Sequence, residues 1–339
     1  MKFPKWLRLG LICLLTVPIA VLISVIVILH FQHNSLVQEL LKKANEDFVG
    51  NVSIDHSEID FISDFPLIDI DLKDLRIHES KNLTVKPIAQ FNDVYIGFNL
   101  WTILCGKMEI NQVHIEQGHC DVVQYNEDEI NIINAFQPIK PVTDIEEEFH
   151  LSLKSIVLKD IDLNKENREN GMRIDLYLND VQSGIKTDSV EALFDLNAHF
   201  KMSLLMNGDS TFLRNKHLAL KTDVHFNKIS QLLTIDSTSV ELEKATFDLA
   251  GSIDFSREVF LDLKLEGNKP NFDLFLALAP SDLDSVLSKY ENRGRIFFET
   301  KILGSCIHGS MPAIDAKFGC QAGFIENTEV EKELNDLSF

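Results

Sequence analysis

Long stretches of this chain alternate between apolar and polar residues, and this alternation limits the folds that it can adopt. From Asp195 to Met206 the even-numbered positions are apolar and the odd-numbered positions are polar, except for Leu205. Successive side chains of a β-strand point to opposite faces, so a period of two predicts a strand with one apolar and one solvated face. Here His199 and Lys201 fall on the predicted solvated face. Strands of antiparallel sheets commonly show this pattern.

The same alternation recurs along most of the chain, in Ile68–Leu72, Val94–Phe98, Met172–Leu178, Leu218–Phe226, Ala245–Phe255 and Leu261–Leu265. Clusters of turn-forming residues separate these runs, at Lys165–Gly171, Asn207–Ser210 and Asn268–Pro270. The chain is therefore predicted to be mainly β, with roughly fifteen to twenty strands of average length in one long antiparallel sheet.

A sheet with one apolar face has to cover that face. The predicted helices are too few and too short to do so. The sheet therefore either folds on itself around a closed core or offers its apolar face to an apolar ligand. The 23 Phe, against 4 Tyr and 2 Trp, are typical of a face that never meets water. A packed core and a ligand channel would both show this enrichment.

The N-terminus is predicted to be a membrane anchor. Leu9–Leu29 contains no charged residue. At about 1.5 Å per residue this run reaches about 30 Å, the thickness of a bilayer's hydrocarbon core. It is too long for a cleaved signal peptide, and no small-residue cleavage site follows. Lys2, Lys5 and Arg8 precede it, which predicts a cytoplasmic tail at 1–8, an anchor at 9–31 and the remaining chain on the far side. A cleaved signal and a buried helix are the alternatives.

Helices are predicted at three other places. The first is an amphipathic helix at 34–49, with Gly50 suited to the position that ends it. One or two helical turns are predicted at Asn99–Cys105, and a pair of short helices at Asn271–Tyr290, broken at Pro280. The segment from Pro138 to Glu148 is predicted to be a linker.

Charge and cysteine content exclude some functions. The formal net charge of −20 disfavours nucleic-acid binding, because phosphate backbones repel an acidic surface. The five cysteines are too few and too scattered for a disulfide framework, and none has the close spacing of a zinc site. Single buried thiols are favoured. The pairing state of Cys105, Cys120, Cys306 and Cys320 stays open.

No catalytic constellation is found. Asp69 and Asp71 are predicted to lie on a solvated strand face, which does not supply the pockets that a carboxylate pair needs. His114 and His119 are predicted to be exposed strand and turn residues around Gly118. Sequence motifs of hydrolases, metalloproteases and nucleotide-binding proteins are missing. We therefore predict a protein that is not an enzyme and that uses no metal or cofactor.

Several segments, taken in order, resemble the AsmA family of envelope proteins, of the Bacteroidetes type. The resemblance covers most of the chain, and each motif is degenerate. It follows the anchor and the helix ending at Gly50, and its segments are Asp64–Leu67, Leu72–Ile77, Ile88–Phe91, Phe98–Lys107, Ile110–Ile115, the short Asn-containing strand Asn131–Ile133, Leu265–Gly267, Gly294–Phe298, Gly304, Pro312–Asp315 and Gly323–Phe324.

This resemblance implies a β-groove of the bridge-like lipid-transfer kind, curled like a taco. It implies an N-terminal β module at 50–140 and a continuing groove at 145–339, with the helical pair near 271–290. Relatives of this type are longer, so the chain is expected to be a truncated member or a fragment. The predicted strand number corresponds to a groove of roughly 70–95 Å.

The expected function is that of an inner-membrane-anchored periplasmic protein that binds or conducts phospholipid between membranes and contributes to outer-membrane biogenesis. The alternative is a non-enzymatic scaffold with a closed β core that assembles outer-membrane proteins. The expected partners are inner-membrane phospholipid and outer-membrane assembly components, and nucleic acid is excluded. The candidate groove residues are Ile68, Ile70, Leu72, Ile96, Phe98, Leu196, Phe200, Met202, Leu204, Val224, Phe226, Phe247, Leu249 and Phe255.

Overall fold

The computed structural model describes most of the chain beyond residue 33. The described residues are 34–35, 37–39, 41–60, 67–99, 102, 109–126, 129–139, 150–211, 213–256, 259–269, 277, 286, 289–292, 295–305 and 312–338. The predicted anchor at Leu9–Leu29 lies outside them, as do most of the predicted helical turns at Asn99–Cys105, most of the helical pair and most of the linker. No helix within the described ranges combines the length and the apolar character needed to cross a membrane.

The protein is mainly β with few helices. Helix α1 covers residues 34–47, apart from positions 36 and 40, and helix α2 is Asn131–Ala135. The strands are β1 Asn51–Ser53, β2 His56–Asp60, β3 Leu67–His78, β4 Ala89–Asn99, β5 Glu109–Gln124, β6 His150–Asn167, β7 Met172–Thr187, β8 Glu191–Met206, β9 Asp209–Ser210, β10 Lys216–Asn227, β11 Leu232–Leu242, β12 Ala245–Asp254, β13 Phe260–Lys269, β14 Tyr290–Asn292, β15 Arg295–Ser305, β16 Ala313–Gln321, β17 Gly323–Asn327 and β18 Lys332–Leu337.

Fifteen strands form one large sheet that is not closed. Its order is β1-β3-β4-β5-β6-β7-β8-β10-β11-β12-β13-β15-β16, with β2 beside β1 on the same edge of β3 and β9 at the tip of β8. Twelve spacings of about 4.8 Å separate the first and last strands of this order, or roughly 58 Å. Strands β14, β17 and β18 form a separate small sheet.

One strand pair departs from the predicted antiparallel sheet. Strands β5 and β6 run parallel, so the sheet is mixed. Parallel neighbours require a connection of a dozen or more residues that returns the chain to the same end. The segment between Gln124 and His150 supplies this connection and includes α2. The alternation within β5 and β6 has the same period in either direction, so it could not distinguish the two pairings.

The predicted strand at Asn131–Ile133 is wrong, because these residues begin helix α2. The Asn131 side chain is buried against β5. Its Oδ1 accepts a hydrogen bond from the backbone N–H of Val123 at 2.9 Å, and its Nδ2 donates to the carbonyl of Asp121 at 2.7 Å. The side-chain amide of Asn131 hydrogen-bonds to the β5 backbone. The backbone of this segment therefore does not pair with β5 as a strand and can form a helix.

The predicted role of Gly50 as a helix terminator is also wrong, since α1 ends at position 47. A Cβ added at Gly50 would lie 2.7 Å from the carbonyl oxygen of His78 and 2.8 Å from the Cβ of Ala135. The Gly50 N–H donates to the Ala135 carbonyl at 2.7 Å. Glycine is therefore needed because two backbone segments approach each other closely here.

The strand registers join the apolar positions of successive strands into one face. Ala198 of β8 pairs with Val181 of β7 and Leu220 of β10. Leu220 pairs with Val240 of β11, which pairs with Phe247 of β12. Directly paired residues point to the same side of a sheet. The same relation extends from β3 to β16, and we call this side the apolar face and the opposite side the polar face.

Two hydrophobic clusters cover the two ends of the apolar face. The N-terminal cluster consists of Val37 of α1 with Ile70, Leu72, Val94 and Phe98, and Leu41 packs against it. The C-terminal cluster consists of Leu242, Ala245, Phe247, Ala277, Ile296 and Cys320, with Leu213, Leu218, Leu265 and Phe298 packed around them. Strands β6, β7 and β8 contribute no described residue to either cluster.

Candidate functional site

The registers place the candidate groove residues on the apolar face. Phe200, Met202 and Leu204 alternate along β8, and the ladder through β10 and β11 puts Phe247 and Leu249 on the same side. His199 and Lys201 take the polar-face positions between them. Phe255 follows the end of β12, and its ring contacts that of Phe226 with 6.3 Å between centroids.

The N-terminal candidates are packed core. Ile70, Leu72 and Phe98 are buried members of the N-terminal cluster, and Ile96 packs against them. Ile68 is buried as well. Helix α1 covers this cluster through Val37 and Leu41, so these residues lie beneath protein.

Phe247 is packed core too. Its side chain is only 2% exposed. Its ring meets that of Phe298 edge to face, with centroids 5.8 Å apart and an interplanar angle of 84°. Such pairs add to the stabilisation from burial alone. Phe247 therefore stabilises the C-terminal end of the sheet.

Between the two clusters the apolar face is only half covered, along the long strands β6, β7 and β8. Among the candidates, Leu196, Phe200, Met202 and Leu204 of β8 are half-buried. We call the apolar-face residues of β6, β7 and β8 the central apolar stretch: Ile156, Leu158, Ile161, Leu163, Met172, Ile174, Leu176, Leu178, Val181, Ile185, Ala192, Phe194, Leu196, Ala198, Phe200, Met202, Leu204 and Met206.

The central apolar stretch is continued by half-buried Phe226 and buried Val224 on β10 and by half-buried Leu249 on β12. Contiguous apolar surfaces of this kind mark sites where a protein binds another apolar surface, such as a ligand, a membrane or another protein.

Lysines in apolar-face register interrupt this face near the central apolar stretch. Lys165 on β6 pairs with Val122 and Ile174, and Lys216 on β10 pairs with Met202. The sequence analysis missed both, although each keeps the period of two. Lys165 follows Ile161 and Leu163 at the same spacing, and Lys216 precedes Leu218 and Leu220.

On the polar face, the prediction that Asp69 and Asp71 are solvated is wrong. Their side chains are 7% and 6% exposed. The strand that holds them has neighbours on both sides, and Asp71 pairs with Tyr95, whose ring lies 5.3 Å from that of His114. Bulky neighbours on the same face therefore remove the aspartates from water.

Burial and charge pairing have opposite effects on the pKa values of Asp71 and Lys73. Burial, together with the charges of Asp93 and Glu58, raises the pKa of Asp71 even though the hydrogen bond and the charge of Lys73 lower it. Burial also lowers the pKa of Lys73, but hydrogen bonds to Asp71 and Asp93 outweigh this effect and raise it. Asp71 and Lys73 therefore form a charge pair whose burial costs desolvation free energy.

This shift predicts a pH dependence of stability. The pKa of Asp71 is raised above its ordinary value of 3.8, so the folded protein holds this proton more tightly than the unfolded chain. The resulting stabilisation is fully present below about pH 3.8 and is lost as the pH rises through the folded pKa. We expect the free energy of unfolding of the wild type, relative to Asp71→Asn, to fall between pH 3.5 and pH 7 in urea titrations. Exposed Asp223→Asn should show no such trend, and a difference that grows with pH would contradict the prediction.

The remaining polar groups show no cluster of metal ligands. His114 and His119 both lie within β5 and are half-buried, and Gly118 is inside that strand, so their predicted positions at an exposed turn are wrong. No group of three or more His, Cys, Asp or Glu side chains in the described residues is arranged to hold a metal ion. Cys120 and Cys320 are free thiols, and burial raises the pKa of each. Cys105 and Cys306 lie outside the described residues.

A cavity of about 810 Å³ lies where β3 and β5 end, beside α2. Several of its charged groups already bind neighbouring side chains. Glu79 accepts hydrogen bonds from the Tyr125 hydroxyl at 2.7 Å and from Asn134 at 3.0 Å. Lys86 binds Asp121 at 2.8 Å. These contacts tie the β3–β4 connection to β5 and α2.

Comparison with known proteins identifies no relative of this chain. No family model matches it, no curated protein matches it, and no solved structure matches it. The function proposed below rests on the residues of the chain itself.

Proposed function

We propose that this protein binds phospholipid acyl chains on its apolar face and conducts phospholipid between membranes, without catalysing a reaction. The observation that supports this function is the half-covered central apolar stretch on a sheet that is not closed. Acyl chains lying on this stretch would cover side chains such as Phe200 and Met202, while the headgroups stay in water. The sheet would then form the floor of a groove.

The driving force would be nonspecific burial. Removing apolar surface from water contributes roughly 25 cal/mol per Å², whatever the exact shape of the chain that covers it. The protein should therefore accept acyl chains of different lengths. The half-covered part of the face runs from β6 to β10, three strand spacings or roughly 14 Å, so a lipid bound there can slide from strand to strand over apolar side chains.

The experiment that tests this function is mass spectrometry of lipids that copurify with the full-length chain. We expect phospholipid in stoichiometric amounts after the detergent has been removed. The control is the Phe200→Asp variant, which places a charge on the apolar face. Wild-type protein that is folded, free of lipid and unable to take up phospholipid from vesicles would contradict the proposal.

We also propose an AsmA-like arrangement in the envelope, with Leu9–Leu29 as an inner-membrane anchor and the sheet in the periplasm, where it contributes to outer-membrane biogenesis. The charge-free run and the basic residues before it support this placement. The intact protein should resist extraction by alkaline carbonate, and protease on the periplasmic side should digest the sheet. A mature N-terminus near Asn34 would contradict the anchor.

A scaffold for outer-membrane proteins remains the second candidate, and one observation favours it. Strand β16 pairs only with β15 among the described strands, and its Ile314 is 67% exposed. An edge strand of this kind can accept a strand from another protein. The closed core expected for a scaffold does not fit the sheet, which is not closed. Crosslinking at position 314 that captures a strand of an outer-membrane protein would favour this role.

A further inference from the structure

Lys165 and Lys216 occupy corresponding places on the apolar face. Lys165 is close to the end of β6, and Lys216 is the first residue of β10. Both therefore lie near one long edge of the sheet, where β6 and β8 end and β7 and β10 begin. We call this the Met172 edge, defined by Asn167, Met172, Met206 and Lys216. With β7 and β8 between them, the two lysines are three strand spacings apart, or about 14 Å.

Lys216 is a buried residue without a protein counter-charge in the described part of the chain. Its side chain is 3% exposed. In the part of the chain that the structure describes, no hydrogen bond or ion pair joins it to another residue, and the same is true of Lys165. Removing an ammonium group from water costs free energy unless an opposite charge compensates.

Lysines on the polar face behave differently. Lys159, Lys264 and Lys301 lie near the carboxylates of Glu116, Glu266 and Asp262, at 3.6, 2.6 and 3.6 Å. An unpaired lysine such as Lys221 is exposed there and remains hydrated. The two lysines on the apolar face have neither a carboxylate nor, at Lys216, free access to water.

Asp209 of β9 pairs with Met206 and is an acidic residue in apolar-face register near this edge. The other aspartates and glutamates that the ladders of β6, β7, β8 and β10 pair across the sheet, such as Glu166, Asp175, Asp195 and Asp223, are all in polar-face register. The chain as a whole has 52 acidic against 32 basic side chains. Two unpaired lysines beside strands whose acidic residues are in polar-face register are suited to an anion that arrives from outside.

We infer that Lys165 and Lys216 each bind the phosphate group of a lipid whose acyl chains lie on the central apolar stretch. This inference rests on the proposed function. A lysine ammonium is a compact charge that can bind phosphate in several orientations. Such binding suits a headgroup that is released again during transport. The two lysines would hold headgroups at the Met172 edge while the acyl chains extend across Leu163, Leu176 and Met202, the row that ends at Lys216.

The test compares two lipids that share acyl chains and differ in phosphate. Full-length protein is incubated with mixed vesicles of phosphatidylglycerol and diacylglycerol, and the lipids that it takes up are quantified. The wild type should be enriched in phosphatidylglycerol. In the Lys165→Met/Lys216→Met variant this enrichment should fall about tenfold, because the charge-assisted contacts to the phosphate are lost. Total lipid uptake and circular dichroism should be retained.

Two controls separate the lysine effect from changes in folding or surface charge. Lys221→Met removes a lysine from the polar face of the same strand and should behave as wild type. Lys165→Gln/Lys216→Gln keeps polar side chains at both positions and should lose the enrichment as the methionine variant does. Unchanged enrichment in folded, lipid-loaded variants would overturn the role of the lysines and leave the proposed function intact.

Two further outcomes concern the source of the phosphate. If the wild type takes up neither lipid, both the proposed function and this inference fail. If inorganic phosphate binds in calorimetry in a way that depends on Lys216 and no phospholipid is taken up, phosphate recognition stands and the lipid as its source is wrong.

Discussion

Phe200→Asp is expected to abolish lipid loading while the sheet remains folded. Phe200 is half-buried in the middle of β8, and its direct partners on the apolar face are Leu178 and Leu218. A carboxylate there can reach water when the face is empty. It would be buried without a partner once acyl chains lie over it, which costs several kcal/mol. We therefore expect uptake of phospholipid from vesicles to fall at least about tenfold.

The matched control is His199→Asp on the same strand. His199 is the neighbouring residue and points to the polar face, where it is exposed, so the same charge should be tolerated. Circular dichroism and thermal unfolding should be similar for both variants. A folded Phe200→Asp protein that takes up lipid and complements as well as wild type would contradict the conduit. Unfolding of this variant alone would show that Phe200 is packed core.

Phe247→Ala is expected to lower the stability of the C-terminal end of the sheet by about 4 kcal/mol. Truncating a buried phenylalanine typically costs about 3–5 kcal/mol, through lost transfer free energy and the cavity left behind. Phe247 lies among Leu242, Ile296 and Cys320 and also loses its ring contact with Phe298. The measurement is native-state hydrogen exchange of the amides of β11, β12 and β13.

Phe255→Ala provides the comparison within the same residue type. Phe255 is 42% exposed and makes one ring contact, with Phe226. Its truncation should cost less than about 1.5 kcal/mol, because little buried surface is lost. Equal effects of the two substitutions would contradict the assignment of Phe247 to a packed cluster. The contrast also explains why Phe247 is unsuitable as a site for probing lipid passage.

The alternation of residues was sufficient to predict strands at the positions of β7, β8, β10 and β12, because one-sided burial produces a period of two. It predicted the apolar face of each strand from the same signal. It could not predict which part of that face is covered. Ile70 and Phe247 lie in apolar patterns like that of Phe200, and only the packing of distant segments distinguishes them.

Other features depend on contacts that have no local signal. Asp69 and Asp71 alternate like exposed strand residues, and their burial results from neighbours on other strands. Helix α2 depends on the hydrogen bonds of Asn131 to β5. Lys165 was assigned to the turn-forming cluster Lys165–Gly171 and Lys216 to no feature, because a lysine in an apolar register is rare in a dry core.

The order of the large sheet has a consequence for its cooperativity. Each main strand pairs only with the strands beside it, as stacked units do in a repeat protein. Stability in such an arrangement is close to a sum of nearest-neighbour terms, so the two clustered ends are coupled only through the strands between them. These include β6 to β8. A lipid lying across them would act as the core that the chain itself does not provide, and it would join the two ends into one cooperative unit.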